Sequence, residues 1–145
     1  MPTNLAKAGN TVTLNFKTSF PIIGDPTVTF KSGGQDVNNN INYTNSSNDD
    51  RTWTAFYDVD SDDDDGVVTF TISGTDYAGN DRDFTFTTPS PGVTIDTTHP
   101  ILTQVTAITT PSNDTTPIFV FTSTEQGTIS TSISEGISTT NVSTN

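Results

Sequence analysis

Six of the nine residues in the stretch DVDSDDDDG, residues 58–66, are aspartates, in a chain with 17 acidic residues in all. Clustered carboxylates are hard oxygen ligands, and Ca2+ takes about 6–8 oxygens from carboxylates, carbonyls and water. The chemistry within reach of this stretch is divalent-cation binding, with Asp60, Asp62 and Asp64 as its candidate ligands. The plain alternative is a solvated, flexible charge run. Spacing excludes an EF-hand: with Gly66 at the sixth loop position, Ser61 would be the first ligand and Ile72 the twelfth, where glutamate is required. Further acids and amides stand at Asp25, at Asp76, Asn80 and Asp81, and at Asp96 and Asp114. Asp76, Gly79 and Asn80 also suit a tight hairpin turn without any metal. The mixed reading gives Gly79 to the turn and makes Asp76 the better ligand, while Asp114 suits a turn cap.

Other chemistry finds little support. His99 is the chain's one histidine and there is no cysteine, so zinc sites, disulfides and thiolate catalysis have no residues to work with. A Ser-His-Asp triad needs its histidine held by a rigid scaffold, whereas His99 precedes Pro100 in what reads as a linker. Paired carboxylates could serve a glycosidase, but these acids crowd beside other acids without an aromatic cleft. The expectation is a protein that is not an enzyme. With a formal charge of −12 and only five Lys and Arg, the chain repels phosphate backbones and anionic lipid surfaces. No apolar run reaches the roughly 20 residues of a membrane helix. Met1-Pro-Thr-Asn lacks the apolar segment of a signal peptide, so the chain reads as part of a longer protein or one whose signal was removed.

The elements that must position these residues are strands. Short alternating runs recur between Gly, Pro, Asn and Asp clusters, with no sustained helical period. They cover 11–16, 26–32, 40–43, 51–59, 66–74, 82–88 and 92–96. Their inward residues are Val12, Leu14 and Phe16; Val28 and Phe30; Ile41 and Tyr43; Trp53, Ala55, Tyr57 and Val59; Val68, Phe70 and Ile72; Phe84 and Phe86; Val93 and Ile95. Seven short strands in about 100 residues predict an all-β, Ig-like antiparallel β-sandwich of Greek-key type. Trp53 reads as its core anchor. Thr-x-Thr recurs at 11–13, 27–29, 52–54, 69–71 and 85–87, the common composition of a solvated strand face.

A second unit begins near residue 98, with strands expected at 101–108, 118–125 and 127–134. TLNFKTS (13–19) aligns with IFVFTST (118–124), placing Leu14 on Phe119 and Phe16 on Phe121, an offset of 105 residues. The strand at 101–108 then has no counterpart ahead of residue 11. The expected organisation is a sandwich over 1–97 that lacks its first strand, then the opening of a second repeat over 98–145, a window on a tandem array. A half sandwich leaves apolar face and strand edges uncovered, so residues 126–145 are expected to be poorly ordered without a partner.

The segments AGNTVTLNF, WTAFYDV, GVVTFTISGTDYAGN, VTIDTTHP and SNDTTPIFVFTSTEQGTI together resemble the bacterial Ig-like repeats of large extracellular adhesin-type surface proteins, over nearly all of residues 9–130. His99 departs from the alanine usual before that proline, and the aspartate loop is unusually dense. The resemblance implies an extracellular stalk of tandem sandwiches, rigidified by Ca2+ at domain junctions, with no shared catalytic residues. It makes Asp96, in the linker motif, the strongest calcium candidate.

Ig topology puts Asp25, Asp76, Asn80 and Asp81 in the B–C and F–G loops at one end. The aspartate loop becomes the E–F loop at the other end, beside Asp96, with Glu125 expected across the junction. The function expected is a calcium-stiffened spacer among neighbouring repeats, with any glycan or protein receptor met by other domains. The alternatives are a subunit of a self-assembling fibre that donates strands to identical subunits, and a glycan- or ice-binding module built on threonine ladders. Sequons at Asn42, Asn45, Asn113 and Asn141 mark polar loops in a bacterial setting.

Overall fold

A computed structural model describes residues 4–87, 92–108 and 112–128, the side chains of 84–87 excepted. The chain divides into two units, Met1–Thr98 and His99–Asn145. Unit 1 carries β1 (Leu5–Ala6), β2 (Thr11–Lys17), β3 (Thr27–Ser32), β4 (Gln35–Asp36), β5 (Asn42–Asn45), β6 (Thr52–Asp58), β7 (Gly66–Val67), β8 (Thr69–Thr75), β9 (Asp81–Thr87) and β10 (Thr94–Ile95). Unit 2 carries β11 (Leu102–Thr106) and β12 (Val120–Ser123). No helix occurs among the described residues. The fold is an all-β sandwich, as the alternating runs require.

Unit 1 holds three sheets: two antiparallel ones ordered β2-β6-β5 and β4-β3-β8-β9, and a small mixed one, β1-β10-β7. β2 and β6 pair in unbroken register from Thr11↔Asp58 to Lys17↔Thr52. β8 holds Phe30↔Phe70 on one side and Gly74↔Arg82 on the other. Period-2 alternation sends one row of each strand inward. Val12, Ala55 and Tyr57 from one sheet thus meet Val28, Phe30, Phe70 and Ile72 from the other in one buried cluster. The Phe30 and Tyr57 rings join the two layers with centroids 4.9 Å apart, and the Phe70 ring lies tilted against Phe30 with centroids 6.3 Å apart. Trp53 is buried as expected. The inward assignment of Phe84 and Phe86 lies outside the described side chains.

The expected absence of a leading strand is corrected. β1 lies parallel to β10, Leu5↔Thr94 and Ala6↔Ile95, with Ala6 and Ile95 both in the core. Two residues are too few to show an alternation, so only the pairing reveals β1. The run at 66–74 also divides. β7 joins β10 through Thr94↔Val67 and Ile95↔Gly66, whereas β8 joins β3 and β9. The threonine ladder runs Thr29↔Thr71↔Thr85 across one sheet, but on the other Thr13 faces Phe56 and Asn15 faces Thr54.

In unit 2, β11 and β12 form an antiparallel pair from Leu102↔Ser123 to Thr106↔Val120, with a bulge after Gln104. Leu102 and Val105 stand exposed on it, and Ile101, Ile118 and Phe119 stand exposed just ahead of its strands. The third strand expected over 127–134 falls mostly outside the described residues, and the expected order of 126–145 falls there beyond residue 128.

Candidate functional site

The aspartate stretch is a tied loop. Asp58 ends β6, where its carboxylate accepts the Thr11 hydroxyl at 2.6 Å. Val59 turns back into the core at 2% exposure, so the loop must leave the sheet after it. Asp62 N–H donates to Asp60 Oδ1 at 2.9 Å and Asp60 N–H to Asp63 Oδ2 at 3.1 Å, closing a tight turn. The buried Ser32 hydroxyl donates to the Asp64 carbonyl oxygen. Gly66 then lets the chain pass close against Gly33: a Cβ on Gly33 would lie 2.7 Å from the Asp65 carbonyl oxygen.

Asp65 binds the segment by which the chain leaves unit 1. Its Oδ1 accepts the Thr97 N–H at 2.6 Å and the Thr97 hydroxyl at 2.9 Å, and its Oδ2 accepts the Thr98 hydroxyl. The Thr97 N–H donation, with the two hydroxyls behind it, holds the Asp65 carboxyl below the usual carboxylate value. Asp63 is the opposite case. It is only 7% exposed, and desolvation raises its pKa against the help of the Asp60 N–H, with the Asp60 and Asp62 charges pushing the same way as burial. A depressed folded pKa means Asp65 contributes stability in full above the ordinary carboxylate range, lost as pH falls below 3.8 through its lowered value. For Asp63 the sign reverses, and lowering the pH through its raised value relieves the fold. A carboxyl 13C NMR titration is expected to show Asp63 protonating before Asp65 as the pH falls; the reverse order would refute this assignment.

Tyr57 is 0% exposed, and its hydroxyl has no hydrogen-bond partner among the described residues. Burial raises its pKa strongly, and the Asp63 charge adds to the rise. A buried hydroxyl without a partner costs roughly 1–3 kcal/mol. Tyr57→Phe is therefore expected to be neutral or stabilising, by up to about 1 kcal/mol in cation-free buffer. A urea midpoint that drops would reveal a partner for the hydroxyl.

Elsewhere in unit 1, the loop after β2 meets the β8–β9 turn. Ile22 bridges Asp76, Ile23 N–H donates to the Thr75 carbonyl, and the Tyr77 hydroxyl donates to Asp50 at 2.9 Å. The carboxylates there are occupied by the turn. Asp76 Oδ1 accepts the Ala78 and Asn80 N–H groups at 2.8 and 2.9 Å, and the Asn80 side-chain amide reaches both its oxygens. The Asn80 side chain is the leading cause of the lowered Asp76 pKa. Asp81 accepts the Thr75 hydroxyl, and Asp25 is exposed. Asp114 likewise caps its own turn, accepting the Thr116 N–H at 2.9 Å.

Among the described residues, no three Asp, Glu or His side chains stand arranged to share a metal ion. Asp60, Asp62 and Asp64 do line one cleft of about 180 Å³, together with Asp36, Asn39 and Asp63. Asp96 follows Ile95, which pairs with Gly66, so the linker aspartate adjoins the end of the loop. Sequence reasoning passed over Asp63, Asp65, Asp36 and Asn39. One signal was there: Val59 as an inward residue limits how far the loop can stray from the core.

No family model, no curated protein and no solved structure matches the chain.

Proposed function

We propose that this chain is a non-catalytic spacer segment of an extracellular repeat protein, an Ig-like module whose exit toward the next module is stiffened by Ca2+. The observation that carries this reading is the Asp65 bracket. Three donors from Thr97 and Thr98 converge on one carboxylate at the point where the chain leaves the sandwich. A module that only had to fold has no need to restrain the residues after its last strand, whereas a stalk gains stiffness from it. The strand orders β2-β6-β5 and β4-β3-β8-β9 support the Ig-like assignment, since Ig sandwiches divide their strands in this way. In this reading Asp96 and the acidic loop beside it attract the cation, and neighbouring repeats are the partners.

The test is a thermal melt of the full chain in EDTA and then in Ca2+. A ligand bound only by the native state at a hundredfold excess over Kd adds about 2.7 kcal/mol, which moves the Tm of a 100-residue domain by well over 10 °C. An unchanged midpoint overturns the calcium part of the proposal.

A second reading has its own observation. Leu102 is 64% exposed and Val105 59% exposed on a two-stranded sheet, and such a pair is marginally stable alone in water. Strand donation by an identical subunit would cover it. A chain that stays monomeric by sedimentation at high concentration excludes this fibre reading.

A further inference from the structure

We propose that unit 1 binds a small apolar carboxylate, a single ring or short acyl chain bearing one acid group, in the cleft walled by Phe16, Phe20, Ile22 and Ile72 with Lys17 and Arg82 at its mouth. The cleft holds about 280 Å³, just under the roughly 300–1,000 Å³ of sites for drug-sized ligands. It exists because the inward row of β2 runs out of cover. Val12 is buried, while Leu14 and Phe16 on the same face are only half-buried. In the facing layer, β8 continues its inward row from Phe70 and Ile72 to Gly74. Gly74 has no side chain to fill the gap, and Arg82 is its cross-strand partner. The connection after β2 closes the remaining side. Thr18 N–H donates to the Arg51 carbonyl and Ile22 N–H to the Asp50 carbonyl, both at 2.9 Å, and Ile23 N–H donates to the Thr75 carbonyl. The cleft is thus preformed, which spares a ligand the cost of ordering it.

The second observation is charge. The chain carries 17 acids against five Lys and Arg. The cleft at the aspartate loop follows that balance, with five aspartates in its lining. The cleft beside Phe16 reverses it: two of the five cations line it and, among the described residues, no acid does. A third cation, Arg51, donates from its guanidinium to the carbonyl of Ser19, a lining residue, at 3.3 Å. Lys17 and Arg82 are exposed, and neither makes a salt bridge among the described residues. Asp49 lies within electrostatic reach of Lys17, yet its carboxylate already accepts the Arg51 and Thr52 N–H groups. Asp81 and Asp83, on either side of Arg82, fall on the opposite face of β9. Long basic side chains lay their stems on apolar surface and keep their charge in water. The floor therefore takes hydrocarbon and the mouth takes an anion, with Arg82 suited to grip a carboxylate through two N–H groups. A bare inorganic anion would forgo the floor, and a neutral hydrocarbon would forgo the cations. No metal takes part, so this site stands or falls apart from the calcium reading.

Phenylbutyrate titrated in EDTA into the 15N-labelled full chain, read by amide NMR shifts, tests the site. Saturable shifts are expected at Phe20, Ser73 and Gly74. Phenylbutanol, the neutral counterpart, is expected to bind about fivefold more weakly, and Arg82→Gln to weaken binding of the acid by a similar factor. Lys7→Gln, at an exposed cation outside the cleft lining, is expected to leave the affinity unchanged. Gly74→Val is expected to abolish binding, because a Cβ there already lies 3.3 Å from Ile22 Cγ2 and the added methyls occupy the gap. Trp53 fluorescence verifies the fold of each variant, and if Gly74→Val fails to fold, the comparison of Arg82→Gln with Lys7→Gln decides. Equal affinity for acid and alcohol, or an equal loss from Arg82→Gln and Lys7→Gln, overturns the site, as does the absence of saturable shifts. A peptide ending in a free phenylalanine carboxylate that binds more than about tenfold tighter than phenylbutyrate assigns the cleft to a protein partner and overturns the small-molecule assignment.

Discussion

Phe30→Ala is expected to lower the unfolding free energy of unit 1 by about 3–5 kcal/mol. Phe30 is 1% exposed and touches both layers of the sandwich, 4.9 Å from the Tyr57 ring and 6.3 Å from that of Phe70. Truncation removes the transfer free energy of the ring and leaves a cavity between sheets. Those sheets cannot collapse into it, because β3 is held by Phe30↔Phe70 pairing on one side and by β4 on the other. The measurement is urea unfolding followed by Trp53, the one tryptophan of the chain and itself buried in unit 1. The midpoint should fall with little change in slope. Phe119→Ala is the comparison. Phe119 is 50% exposed in unit 2, so it should leave the Trp53 transition in place. Equal effects from the two substitutions would mean that the core does not lie where the contacts put it.

Gly66→Ala is expected to cost about 3 kcal/mol or more, for a reason of backbone geometry rather than packing volume. Gly66 has φ 144°, and a Cβ there would lie 2.8 Å from Gly33 Cα and 3.1 Å from Gly33 N. Holding a side-chain-bearing residue in so sparsely populated a region costs about 1–3 kcal/mol, and the contact with Gly33 backbone adds to it because no rotamer can relieve it. The shift would also pull on Asp65, so the Thr97 amide should lose hydrogen-exchange protection. Gly79→Ala separates the two causes. Gly79 has φ 85° with open space around it, so that substitution meets strain alone and should cost about 1 kcal/mol. If the two substitutions cost the same, the Gly33–Gly66 approach is not a constraint.

Much of the sandwich was legible in the residues because a half-buried strand writes its burial into every second position. Val12, Val28, Phe30, Trp53, Ala55, Tyr57, Val68 and Ile72 were assigned inward by alternation, and all are buried. The site was less legible. The six aspartates raise the expectation of cation binding, yet nothing in their order tells Asp63 from Asp62. The first is buried behind the turn that it closes, and the second is exposed. Nor does it tell Asp65, which holds Thr97 and Thr98, from Asp64, whose backbone carbonyl rather than carboxylate is bound by Ser32. Asp76 shows the opposite case. Its turn partners Ala78 and Asn80 lie two and four residues away, so local chemistry could be read locally.

By itself, the sequence determined that the chain is all-β, where most strands run and which faces are apolar. These follow from period-2 patterning and turn residues, which act over a few positions. Only the tertiary structure decided that β1 joins β10, that Gly33 and Gly66 touch, and that loop 58–65 closes on Thr97 and on Asn39. Those contacts span about 20 to 90 residues of chain. They are set by how two sheets stack, and no neighbouring residue carries a trace of the partner it will meet.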